Sequence, residues 1–277
     1  MRYFFLEGIV LPIVGFFGIL ANIIGISYIG NQGLHKQKFH GLMVILATSD
    51  SLLIIAFFCT FSLPLLLSSS ADEAYRLDVI FWTYPILHIL STTNIYFTAA
   101  MSLDRYLAIC RPLYYCAHSW PKRYFIIPIL CFSIIYNLPR FFELEWDTVV
   151  IKETNETRTG YYPTQMRENK YYIVIYVLSC KIIFHVILPI IILGTLNFLT
   201  YTEMRNLKER YTHIGDIHEH ETRRIQIHMA ELNIVIAILF VLFHSIHVIP
   251  SICEIKWVSE FQIMQRGQFC YMNFPSF

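Results

Sequence analysis

The chain has 277 residues, of which 56% are hydrophobic, 16% aromatic and only 15% charged, whereas soluble domains carry about one-quarter charged residues. A formal net charge of +1 provides no broad basic surface and argues against a nucleic-acid partner. The seven cysteines follow no CxxC or metal-like spacing and mostly fall inside apolar runs, where a thiol behaves as a small hydrophobe, so they suggest no disulfide scaffold.

An α-helix needs about 20 predominantly apolar residues to cross about 30 Å of hydrocarbon. Six segments meet that length: 8–30, 41–67, 79–110, 123–140, 171–202 and 229–253. Each is expected to be helical, because a backbone in lipid must satisfy its polar groups internally. The first run carries no charge, exceeds the apolar core of a signal peptide and is followed by a basic loop, so it reads as a span. The expected fold is an all-α membrane bundle over residues 1–253. The remaining 254–277 form an aberrant or truncated tail with no 20-residue apolar run, so a seventh span is expected to be missing.

The connections set the orientation. Lys36 and Lys38, then Arg111, Lys122 and Arg123, then Arg205, Lys208, Arg210, Arg223 and Arg224 fall in the first, third and fifth connections. The second holds Asp72, Glu73 and Asp78 against Arg76 alone. The positive-inside bias therefore places the amino terminus outside the cell. The sequon Asn155-Glu156-Thr157 lies in the fourth connection, on the side that a glycan requires, and Asn155 is the expected acceptor.

Polar side chains inside spans are costly and are functional candidates by default. Asn22 lies about 21 Å from the outer start of the first span, Asp50 about 14 Å from the inner start of the second, and Asn94 about 22 Å from the outer start of the third. All three fall near the midplane. A carboxylate flanked by two amides suits a small cation such as Na⁺; the plain alternative is a hydrogen-bonded packing network. No other cofactor and no structural metal are implied.

Asp104-Arg105-Tyr106 ends the third span on the inner side, where Arg105 can pair with Asp104 and swing into the bundle when helices part. The plain alternative is an arginine snorkelling at a helix end. On the fifth span Lys181 and His185 are four residues apart and share a helix face in the outer half. A lysine at that depth must face the bundle, as a ligand contact or in an ion pair with a glutamate such as Glu143 or Glu254. Tyr84, His88, His247, Ser251 and Glu254 complete the outer candidates for ligand binding. The histidines of the fifth connection read as a solvated loop rather than a metal site. No GxSxG, no HExxH and no facing pair of intramembrane aspartates is present, so no catalytic activity is expected.

Five motifs in order resemble the rhodopsin-like G-protein-coupled receptors: Gly18-Ile-Leu-Ala-Asn22; Leu46-Ala-Thr-Ser-Asp50; Asp104-Arg105-Tyr106 with Pro112-Leu113 beyond; Pro189; and Pro250. The stretch Ser102–Leu113, with Tyr136-Asn-Leu-Pro-Arg-Phe-Phe-Glu143 and Leu196-Asn197-Phe-Leu-Thr-Tyr201, is similar to insect FMRFamide-type neuropeptide receptors. Leu87 stands where amine receptors carry an aspartate. The resemblance implies a multi-pass plasma-membrane receptor that binds a short amidated peptide outside and activates a heterotrimeric G protein inside. It gives Asp104, Arg105, Tyr106, Pro112, Leu113, Asn197 and Tyr201 to coupling and activation, Asn22, Asp50 and Asn94 to a sodium-linked network, and allows receptor dimerisation. The chain departs from the family at Ile80, where a cysteine is usual, in the cysteine-free loop 141–170, at Val248 and in lacking NPxxY. Alternative readings are a truncated, non-signalling isoform or relict, and a transporter, although no inverted repeat is visible.

Overall fold

The computed structural model describes residues 6–31, 38–63, 66, 73–117, 123–151, 156–211 and 235. The span expected at 229–253, apart from Val235, and the tail 254–277 lie outside the described residues.

Helix α1 (Leu11–Asn31) and helix α2 (Lys38–Phe57) pack against each other. α3 (Glu73–Cys110) is one uninterrupted helix of 38 residues, followed by the short α4 (Pro112–Ala117). α5 (Arg123–Asn137) ends in a 3₁₀ turn, Leu138–Phe142. Strands β1 (Leu144–Ile151) and β2 (Glu156–Pro163) pair antiparallel, from Leu144 opposite Pro163 to Ile151 opposite Glu156. Two short helices, α6 (Gln165–Glu168) and α7 (Lys170–Tyr172), lead into π-helical stretches Ile173–Cys180 and Ile182–Ile187 and then α8 (Leu188–Tyr211). The hairpin was not anticipated from hydropathy, because its strands are shorter than any span and sit between two of them.

Proline chemistry accounts for part of the winding. The π-helical turns Leu6–Val10, Phe58–Ser62 and Ile182–Ile187 each end two residues before a proline, namely Pro12, Pro64 and Pro189. A proline cannot donate to the carbonyl four residues back and its ring crowds that carbonyl. Widening the preceding turn to i→i+5 bonding relieves the crowding. Pro85 and Pro128 lie inside α3 and α5 without such a turn, so proline permits this winding rather than dictating it. The π-helix at Ile173–Cys180 has no proline after it and no evident cause.

Four described helical segments are long and apolar enough to cross a membrane: Gly8–Tyr28, Gly41–Ser62, Arg123–Phe142 and Lys170–Leu207. α3 is long enough but too polar to join them by composition, and the reason is burial. Leu87, Ile95, Phe97, Met101 and Ile109 are buried on it together with Thr92, Thr93, Asn94, Thr98, Ser102, Asp104 and Arg105. Its hydroxyls are satisfied by the helix itself: Thr92 donates to the His88 carbonyl at 2.8 Å, Thr93 to Ile89 at 2.8 Å and Thr98 to Asn94 at 2.9 Å. A helix sheltered on this scale can carry polar side chains that a lipid-facing helix cannot. α1 shows the opposite pattern: Ile13, Val14, Phe16, Phe17, Ile23 and Ile24 are all exposed. In water such a face would be a liability; in lipid it is the ordinary exterior. The chain is a membrane protein.

Two compact units divide the chain, residues 1–101 with 120–173 and residues 102–119 with 174–277. In the first, α1 meets α2 where Gly15 and Gly18 face Ile54. In the second, Ile109 and Cys110 at the end of α3 pack with Met204 and Leu207 of α8.

Candidate functional site

In the second unit, the end of α3 holds an ion pair. Arg105 Nη2 donates to Asp104 Oδ2 at 2.7 Å, with the two side chains only 6% and 8% exposed. Pro112 starts α4, a position where its missing N–H is no loss. α4 then carries Tyr115 back so that its hydroxyl donates to Asp104 Oδ1 at 3.2 Å. Asp104 is therefore held from both sides, by a guanidinium and by a phenol eleven residues on in sequence. Tyr115 was missed from sequence; only its place just beyond Pro112-Leu113 hinted at it. Tyr106 is half-buried, while Pro112 is exposed and Leu113 is 87% exposed, an apolar side chain offered to a partner or to lipid.

On α8 Asn197 is buried and donates to the Leu193 carbonyl at 2.7 Å and to Ser102 Oγ at 3.5 Å, tying that helix to α3 just before the ion pair. Tyr201, one turn further, is exposed. Lys181 and His185 are half-buried on the fifth span, both with interaction partners. π-winding around them means that the face they share is offset from the one α-helical spacing predicts.

The first unit holds the midplane residues. Asn22 Nδ2 donates to Ser51 Oγ at 3.2 Å, so α1 is joined to α2 through the residue next to Asp50. Ser51 in turn donates to the Ala47 carbonyl at 2.8 Å. Asn94 is buried, and among the described residues neither of its amide atoms has a partner and no hydrogen bond joins Asp50 to Asn22 or Asn94. Nearby on α3, Thr92 Oγ1 accepts from Asn137 Nδ2 at 2.8 Å, which fixes α5 against α3.

At the other end of α3 a second buried charge cluster forms. Arg140 Nη1 donates to Glu143 Oε1 at 3.1 Å and Oε2 at 3.4 Å, and to Tyr84 Oη at 3.3 Å. Tyr84 stands edge-on to His88, with ring centres 4.6 Å apart. Of the outer candidates, these two neighbours on α3 are brought together directly. Glu143, weighed from sequence as an ion-pair partner for Lys181, is paired with Arg140 and Arg167. Arg140 was missed; its spacing of three from Glu143 was the available signal. His247, Ser251, Glu254 and the expected glycan acceptor Asn155 lie outside the described residues.

Four apolar helical segments of membrane-crossing length and a long, polar α3 that ends in a buried Asp-Arg pair mark a helical membrane protein. The chain belongs to the rhodopsin family of seven-transmembrane receptors, whose family model matches residues 21–274. It is 27% identical over 259 residues to the FMRFamide receptor of Drosophila melanogaster, an alignment covering 91% of this chain and 46% of that protein. It is also 26% identical over 200 residues to the FMRFamide peptide receptor frpr-18 of Caenorhabditis elegans, covering 68% of this chain and 43% of that one. The chain thus spans about half the length of the curated relatives it matches. The family match takes in most of the segment 254–277 that hydropathy set apart as a tail.

Proposed function

We propose that the chain is a plasma-membrane receptor that binds a short amidated neuropeptide at its outer side and activates a heterotrimeric G protein at its inner side. The observation that carries the coupling half is the buried Asp104–Arg105 pair closed by Tyr115. Such a pair is a two-state element: it is stable closed, and releasing Arg105 changes the surface presented at that end of α3. A ligand that binds one state better shifts the equilibrium toward it. No chemistry is catalysed. The peptide half is supported by the likeness to two FMRFamide receptors, one of Drosophila melanogaster and one of Caenorhabditis elegans.

The test is G-protein activation in cells expressing the chain, with a panel of short peptides ending in Arg-Phe-amide and their free-acid forms. The amidated forms are expected to act, and the free acids to be at least about tenfold weaker because a carboxylate replaces a neutral donor at a desolvated end. Lys181→Ala is expected to weaken agonist potency by roughly tenfold with surface expression unchanged. No response to any amidated peptide would overturn the peptide reading.

The amino terminus is placed outside, with Asn155 glycosylated. Glycosidase treatment of the expressed chain should lower its mass, and Asn155→Gln should abolish that shift. A surface-expressed wild-type chain without a glycan would argue against the orientation.

A sodium ion fits the midplane residues. Asp50 brings a carboxylate and Asn94 a buried amide with no partner among the described residues, and their oxygens suit a hard cation with water. When bound, the ion would supply positive charge beside Asp50, and Asp50 and Asn94 would hold it. Agonist affinity should then fall as sodium replaces a large organic cation at constant ionic strength, and Asp50→Asn should remove that dependence. A sodium effect that survives in Asp50→Asn would place the ion elsewhere.

A further inference from the structure

The β1–β2 hairpin stands on two residues. Glu143 immediately precedes β1 and Thr164 immediately follows β2. The Thr164 N–H donates to the Glu143 carbonyl at 3.0 Å, and Thr164 Oγ1 donates to the Phe142 carbonyl at 2.8 Å. These bonds close the base of the hairpin on the 3₁₀ turn that ends α5. The Glu143 side chain, only 4% exposed, ties the base of the hairpin to further helices. It accepts from Arg140 at the end of α5, from the Tyr172 hydroxyl of α7 at 2.8 Å, and lies 3.7 Å from Arg167 Nε of α6. Arg140 continues the chain of contacts to α3, bonding the Tyr84 hydroxyl and lying 6.0 Å from the centre of its ring.

Covalent attachment is not available to this loop. Residues 141–170 contain no cysteine, and Ile80, one helical turn before Tyr84 on α3, is apolar. Cys59, Cys110, Cys131 and Cys180 are free thiols. Buried ion pairs add little stability over apolar side chains of the same volume, but they demand a particular geometry, and removing one partner strands the other charge. A carboxylate with two guanidinium neighbours and a phenol therefore specifies position more than it adds stability.

We propose that Glu143 is a positioning residue: through Arg140, Arg167 and Tyr172 it tethers the hairpin electrostatically to α3 and the helix ends, and through Tyr84 it couples hairpin placement to the peptide-binding surface. The tether is insensitive to thiol reduction. The link to peptide rests on the receptor reading above; the tether itself does not.

Hydrogen exchange on the full chain in lipid nanodiscs tests it. Glu143→Gln should accelerate exchange of the amides in 144–151 and 156–163 by about tenfold, since a charged hydrogen-bond network is lost, while α1 and α2 amides keep their rates. Glu145→Gln, two residues on and exposed, should leave the hairpin unchanged. A phosphine reductant should not alter hairpin exchange in the wild-type chain. In the binding assay Glu143→Gln should weaken amidated-peptide affinity, and Glu145→Gln should not. Hairpin exchange unaltered in Glu143→Gln, or accelerated by reductant in the wild type, overturns the tether. If Glu143→Gln does not fold, Tyr172→Phe and Tyr84→Phe each remove one hydroxyl and should each raise hairpin exchange a few-fold; unchanged rates in both overturn it equally. Absence of peptide binding by the wild-type chain would defeat the receptor reading and leave the exchange result to decide the tether.

Discussion

Arg105→Ala is expected to cut agonist-driven G-protein activation by at least about tenfold while agonist affinity changes little, the usual scale of coupling between distant sites being 1–3 kcal/mol. The two readouts separate because of distance. Arg105 and Tyr84 lie on the same helix 21 positions apart, about 32 Å along its axis. Alanine removes the group that must be released, and it leaves Asp104 with the Tyr115 hydroxyl alone. Asp104→Asn acts on the same element in the opposite sense. It keeps the shape, weakens the hold on Arg105, and should raise signalling in the absence of peptide. Tyr115→Phe removes one of the two bonds on Asp104 and should raise it by less. Surface expression and peptide affinity measured beside activation distinguish these effects from misfolding. If Arg105→Ala signals normally, the buried pair is a packing feature and the coupling half of the proposed function fails.

The second large effect is structural. Gly18→Val should lower the yield of folded chain and its thermal stability, and Ile54→Ala on α2 should restore both. An added Cβ at Gly18 would come within 2.9 Å of Ile54 Cδ1, and one at Gly15 within 3.0 Å of Ile54 Cγ2. The Cδ1 methyl can rotate away from a single methyl group, so Gly18→Ala should be mild. Valine also fills the space that Cδ1 would move into, and Gly15 limits the shift of Cγ2. Overpacking of this kind costs about 1–3 kcal/mol, and helices in lipid depend on close backbone approach for their association. Gly25, where an added Cβ meets nothing within 4 Å, is the control: Gly25→Val should be tolerated. Equal damage from Gly18→Val and Gly25→Val would show that helix propensity, rather than the α1–α2 contact, is being measured.

Membrane spans are legible in sequence because lipid imposes a length and a composition on each of them, independent of any neighbour. Hence the 8–30, 41–67, 123–140 and 171–202 runs recur as helices with boundaries shifted by a few residues. The Asp104-Arg105 pair was legible for a similar reason, its two members being adjacent on one helix end. Arg140 and Glu143 were within reach by their spacing. Tyr84 and Tyr172 were not, since they stand 56 residues before Arg140 and 29 after Glu143 in the chain.

Depth along the membrane normal follows from counting residues, and for Asn22, Asp50 and Asn94 the counts agree. Direction around each helix does not follow from counting. Asn22 turns to Ser51, while Asn94 is buried with no amide partner among the described residues, and only packing of α1 on α2 and the burial of α3 decide such choices. The same holds at Glu143. Sequence offered Glu143 as one of two glutamates for Lys181, and the fold gave it Arg140 and Arg167 because the 3₁₀ turn after α5 and the closure of the hairpin bring those guanidiniums to it. By itself, then, the sequence determined which segments enter the membrane and which polar groups they carry to what depth, since solvent transfer acts residue by residue. Which of those groups meet was decided by the tertiary structure alone, since a buried hydrogen bond depends on the rotation and spacing of two elements at once.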